Sequence, residues 1–197
     1  MPSYSIAIAN QQRVLRVNRR RMIQLAKSVL AMEHVEIALV SVAIVDDPQI
    51  HAINRDFLKH DFPTDVISFL LDGFDTTDEG GPIARLPGET LTSSTNSVRS
   101  RAQSKAGRQS SRNLRRGFGK WIDGEIIISA DTALRIAGDY DATPHDELAL
   151  YLAHGLLHLC GYDDLTPQEK RLMRRREAEA LEAWNSILQA GGRKRLK

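Results

Sequence analysis

His154 and His158 stand four residues apart in the run His154-Gly155-Leu156-Leu157-His158-Leu159-Cys160-Gly161-Tyr162-Asp163-Asp164. On a helix that spacing turns two imidazoles to the same side, within reach of one metal ion. Gly161 suits the left-handed position that closes a helix, so the chain can fold back and bring an aspartate to the pair. The helix is apolar on most sides through Leu148, Leu150, Leu152, Leu156, Leu157 and Leu159, while Glu147, Tyr151, His154 and His158 form one polar stripe. Imidazoles buried there need a partner, and a metal ion supplies one. An isolated pair with this spacing is more often hydrogen-bonded or at the surface than metallated, so the pair alone does not decide the matter. Peptidases of the His-Glu-x-x-His type carry a glutamate after the first histidine as general base, and Gly155 in that place argues against a metallopeptidase.

The elements that must carry these residues are legible from periodicity and capping. Residues 3–9 alternate as a strand. Asn18 caps a helix with Met22, Ile23, Ala26, Val29 and Leu30 at helical spacing, and residues 35–45 form a β-branched buried strand. Asp47-Pro48 starts a helix through Ile50, Ile53, Asn54 and Phe57 that must stop before Pro63. Strands are expected at 65–70 and 125–128, and a helix over 130–137. A further helix spans 144–160, with Thr143 as cap and Asp146 and Glu147 at its positive end. The last begins at Thr166-Pro167-Gln168-Glu169, a capping box, and continues through Met173, Leu181, Trp184 and Leu188. Strands separated by helices predict an α+β fold, an α/β sandwich with a small, mostly parallel or mixed sheet and about five helices.

A chain of 197 residues with 42% hydrophobic content suits a single domain over residues 1–197. Residues 73–119 interrupt it as a Ser-, Gly-, Thr-, Arg- and Gln-rich low-complexity insertion, expected to be largely disordered. Residues 85–120 hold nine basic residues and only Glu89 on the acidic side; without them 18 basic face 24 acidic residues, a charge of −6 instead of the formal +2. That basic segment is a candidate collector of RNA phosphates or a tolerated surface loop. The longest apolar run, 37–45, is far short of a membrane span and no secretory signal opens the sequence, so a soluble, cytoplasmic protein is expected. The lone Cys160 reads as a small buried core residue, and Arg174-Arg175-Arg176 and Arg193-Lys194-Arg195 read as solvated charge runs.

The His154–Asp164 run resembles the signature of the YbeY family of bacterial rRNA maturation factors, which are metal-dependent endoribonucleases. Asn54, Pro63-Thr64-Asp65-Val66-Ile67-Ser68-Phe69 and Gly124-Glu125-Ile126 extend the similarity over nearly the whole chain apart from the basic insertion. The resemblance implies a zincin-like site with one Zn2+ ion on His154, His158 and a third ligand, usually histidine, which falls here on Asp164. Aspartate is a competent zinc ligand, and three protein ligands leave the open position of a catalytic site. Two imidazoles and a carboxylate leave a net charge near +1 instead of +2, which makes the ion's water less acidic. Asp163 is the rival third ligand, or an acceptor that orients an imidazole N–H.

The family's arginine five residues before the Pro-Thr-Asp run is replaced by Leu58, so a phosphate contact is lost or rerouted, with Arg55 and neighbouring Lys59 as candidate cations. No other catalytic group is expected beyond the ion's water. The implied activity is a zinc-dependent, single-strand-specific endoribonuclease acting in rRNA maturation and ribosome biogenesis, with rRNA and the small ribosomal subunit as partners. The alternative is a ribosome-associated RNA-binding factor with a structural metal and weak catalysis.

Overall fold

The computed structural model describes residues 1–75, 118–139 and 142–193. Strand β1 (Ser3–Asn10) pairs in parallel with β2 (Ile37–Val45), and β2 in parallel with β4 (Lys120–Ser129), whose other edge takes β3 (Val66–Asp75) antiparallel. The sheet order is β1-β2-β4-β3, a mixed sheet of the kind the sequence predicts. Both inner strands bury apolar side chains on each face, although Ser41 of β2 and Glu125 of β4 are exposed. Val40, Val42, Ile44, Ile126 and Ile128 enter the main core, while Val45, Ile127, Ile67 and Phe69 enter a smaller one opposite.

Helix α1 (Arg19–Met32) opens on Asn18, whose side chain accepts the Arg21 N–H. It packs with α4 (Pro144–Leu159) and α5 (Pro167–Arg193) over the main core. Reciprocal Thr143–Asp146 and Thr166–Glu169 bonds form capping boxes at α4 and α5. The last helix therefore starts where its sequence signal lies. No helix among the described residues is long and apolar enough to cross a membrane.

Helix α2 (Asp47–Ile53) caps differently from expectation. Asp46 accepts the Gln49 N–H, whereas the Asp47 carboxylate accepts from the Ser129 and Thr132 hydroxyls and the Arg135 guanidinium, tying α2 to α3 (Ala130–Ala137). Past Ile53 the helix widens into a π-helical turn, Asn54–Leu58, and stops at Lys59 with φ 62°. Of the residues expected to belong to the low-complexity insertion, 73–75 complete β3 and 118–119 form a turn before Lys120 opens β4. Residues 76–117, with eight of the nine basic side chains of that segment, lie outside the described residues, as do Lys194 and Arg195.

One arginine of a charge run is not at the surface. Arg176 is 4% exposed, its Nε donating to Glu33 at 2.7 Å and its guanidinium also contacting Glu179, while Glu33 is wholly buried and accepts the Tyr162 hydroxyl at 2.8 Å. The α5 face that carries Met173, Ala180 and Trp184 inward carries Arg176 with it, which overturns the solvated reading for Arg176, while Arg174 and Arg175 are exposed as expected. Glu33→Ala would strand that guanidinium. It should cost about 3–5 kcal/mol in urea unfolding, because a buried charge that loses its partner is strongly destabilising. A loss under about 1 kcal/mol would show Glu179 and solvent to be sufficient partners.

Candidate metal centre

Two glycines set the distance between α4 and the sheet. A Cβ on Gly155 would stand 2.9 Å from Ile126 Cγ2, and one on Gly124 2.8 Å from Leu159 Cδ1. Both therefore mark close approach of helix to strand, which explains Gly124 in physical terms. The same crowding leaves no room at Gly155 for the glutamate of a peptidase.

Helix α4 ends as the sequence predicts. Gly161 has φ 93°, its N–H bonds to the His158 carbonyl (2.8 Å) and the Tyr162 N–H to the Leu157 carbonyl (3.0 Å), the paired bonds of a Schellman end. Lys120 Nζ donates to the Cys160 carbonyl at 3.1 Å, so the last basic residue of the segment helps close the helix. Cys160 is fully buried, and burial pushes its thiol pKa well up, as its reading as an inert core residue requires.

The turn brings the Tyr162 carbonyl back under His158, where it accepts the Nδ1–H at 3.0 Å. The Nδ1 of His154 lies 2.7 Å from Glu177 Oε1, on α5. A carbonyl and a carboxylate only accept, so both Nδ1 atoms donate and both Nε2 atoms are turned to the same point, 2.9 Å apart. Two neutral imidazoles so arranged would oppose lone pairs, so the arrangement requires a proton or a metal ion between them.

The two rings differ in their electrostatics. Burial alone would lower the pKa of His154, but the hydrogen bond and charge of Glu177 outweigh it, helped by Asp65 and Asp164, and hold it above the ordinary imidazole value. Burial and the neighbouring His154 hold His158 below it, against the Tyr162 carbonyl and the charges of Asp164 and Asp163. Four carboxylates thus act on two rings.

Asp164 influences both rings without joining them, and among the described residues no three His, Cys, Asp or Glu side chains converge as a ready-made metal cage. Its carboxylate takes part in no hydrogen bond among the described residues, whereas Asp163 Oδ1 accepts the Asp164 N–H at 2.8 Å. The short turn bends Asp163 onto its own backbone, so the orienting acceptors are Glu177 and the Tyr162 carbonyl instead of Asp163. The donor set of two converging imidazoles with an unengaged carboxylate beside them fits a zinc ion.

Glu177 was not foreseen, although a charge amid Met173, Ala180 and Trp184 on the inward stripe of α5 is a signal in the sequence. Glu177→Gln should weaken zinc binding about 10–100-fold in a competitive chelator titration, the usual cost of losing an orienting partner. An unchanged affinity would mean that His154 is held by packing alone.

A cleft of about 450 Å3 opens on the pair, walled by Leu58, Thr64, Asp65, Val66, Ile67, Ser68, Leu70 and Leu159. Leu58 stands in it where the family resemblance places an arginine. Arg55 is exposed on the π-helical turn with its Nε on Asp56 at 3.2 Å, and Lys59 Nζ donates to the Asp56 carbonyl. Neither side chain is part of the cleft wall.

An α+β layer with a helix-borne imidazole pair under an open cleft is the frame of a hydrolytic centre. A solution structure of a protein from Thermotoga maritima has the same fold, with a TM-score of 0.53 and 18% identity over 95% of this chain and 93% of that one. The pattern of the family described as Endoribonuclease YbeY matches residues 7–185. Relatives of that name include one from Rhodopirellula baltica, 31% identical over 85% of this chain, and one from Syntrophotalea carbinolica, 33% identical over 88%. The chain spans 64% of the length of the first and 91% of the second. The relative from Bacillus subtilis is 32% identical over 75% of this chain and 73% of its own. The chain belongs to the YbeY family of endoribonucleases.

Proposed function

We propose that this chain is a zinc-dependent, single-strand-specific endoribonuclease that acts in rRNA maturation and ribosome biogenesis in the cytoplasm, with rRNA and the small ribosomal subunit as partners. The observation that carries the reading is the meeting of the two Nε2 atoms at 2.9 Å, each ring fixed by an acceptor on its far side. The endoribonuclease name of the relatives supports RNA as substrate.

His154, His158 and Asp164 would hold one zinc ion. When bound, it polarises a phosphoryl oxygen and makes a nucleophile available near neutral pH. The chain's own groups supply the rest. Glu177 and the Tyr162 carbonyl keep the rings from rotating, and the apolar wall of Leu58, Val66, Ile67, Leu70 and Leu159 limits water around the phosphodiester. Thr64 and Ser68 add hydroxyls to that wall, and Thr64 already donates to Asp65 at 3.0 Å. Leu58 brings no charge to the cleft, so neutralisation of the phosphate would fall mainly to an ion held by His154, His158 and Asp164. A structural metal in an RNA-binding factor is disfavoured by the open cleft, since structural zinc sites are closed by protein ligands.

Cleavage of matched single-stranded and duplex oligoribonucleotides, with chelator and then with zinc restored, tests the proposal. Cuts in the single strand alone, lost to chelator and regained with zinc, are the expected result. Cleavage that survives chelation contradicts the zinc reading, and binding without cleavage supports the RNA-binding factor.

A further inference from the structure

The loop beside the cleft carries rings that the metal centre does not use. Leu58 and Thr64 both belong to the cleft wall, so residues 59–63 rise from its rim. On this rim Phe62 is 56% exposed and its ring is stacked on His60, with centroids 5.5 Å apart and planes at 9°. Phe57, 64% exposed, stands next to the rim with its edge on Phe69, a buried residue of β3, at 5.7 Å.

These exposed rings sit on a fixed backbone. Asn54, 1% exposed, donates from Nδ2 to the Phe62 carbonyl at 2.7 Å, and its own carbonyl accepts the Lys59 and His60 N–H groups. His51 and Asp61 are joined at 2.9 Å. The chain thereby spends a buried asparagine, a π-helical turn and a left-handed lysine to hold apolar rings in water. Such strain persists where the surroundings over-determine it, and it clusters at functional sites.

We propose that the Phe62–His60 stack is a base-stacking platform that receives an unpaired nucleotide of the RNA whose backbone enters the cleft. A stacked, near-parallel pair of rings next to a phosphodiester site offers a surface that matches the π-face of a nucleobase, and stacking of this kind requires a base free of a duplex. Arg55 and Lys59 on the same segment give the backbone of that strand two nearby cations. The platform rests on the endoribonuclease reading and deepens it, because it supplies a structural cause for single-strand selectivity.

The test uses the zinc-loaded full chain, Phe62→Ala and Phe62→Tyr, with a single-stranded oligoribonucleotide in which one base at a time is removed to leave an abasic sugar. Phe62→Ala should raise KM and Kd roughly tenfold or more with kcat little changed, and Phe62→Tyr should restore them. One abasic position, at a fixed offset from the cut, should cost the native protein the same factor and cost Phe62→Ala nothing further. Zinc content should be equal in all three proteins. The platform is overturned if Phe62→Ala stays within about twofold of native, or if the abasic penalty persists in full in that variant. A native protein that cleaves single strands but ignores Phe62→Ala defeats the platform alone; one that neither binds nor cleaves RNA defeats the platform and the endoribonuclease reading together.

Discussion

His158→Ala should abolish both bound zinc and RNA cleavage. The substitution removes one of two Nε2 donors that face each other at 2.9 Å, and it leaves His154 with only a neighbouring carboxylate as a possible fellow ligand. Two donors do not make a zinc site of the catalytic type, which takes three from the protein. Loss of an orienting partner already costs about 10–100-fold in metal affinity or activity, so loss of a ligand should exceed about 100-fold in kcat/KM. Unfolding in chelator separates this from misfolding, since native and variant chains should then differ little. Full cleavage by the variant would remove the basis of the assignment.

Asp164 should behave as the third ligand and Asp163 should not. Asp164→Ala should lower zinc affinity by about 100-fold or more, and Asp164→His should retain both metal and activity. Asp163→Ala should do less, because the Asp163 carboxylate is spent on the Asp164 N–H. The histidine variant carries a further signature. Replacing a carboxylate by a neutral imidazole raises the net charge of the loaded site from near +1 to near +2, so the rise of the rate with pH should move to lower pH. Equal zinc loss from both alanine variants, or a dead Asp164→His, would point to another donor.

Much of this centre is written locally in the chain. The spacing of His154 and His158, the glycine that closes their helix and the Thr143 cap that opens it are short-range signals, and each one forms as expected. The residues that orient the rings are a different matter. Glu177 comes from another helix and Tyr162 acts through its carbonyl, which any residue possesses, so no side-chain pattern announces it. Arg176 reads as surface when three arginines stand in a row, and only the inward stripe through Met173, Ala180 and Trp184 gives it away. The shift of the α2 cap from Asp47 to Asp46 has a tertiary cause, since the Asp47 carboxylate is claimed by Ser129, Thr132 and Arg135 across the sequence. Periodicity carried the helix through Phe57 without indicating a π-helical turn, whose end at Lys59 depends on the Asn54 carbonyl.

The most direct measurement is X-ray absorption at the zinc edge on the purified, zinc-loaded chain, paired with metal content per chain. One ion bound by two imidazole nitrogens and oxygen donors, and absent from His154→Ala and His158→Ala, is the result expected. A chain that cleaves RNA with a proton alone shared between His154 and His158, or whose zinc stays in both variants, would contradict the account.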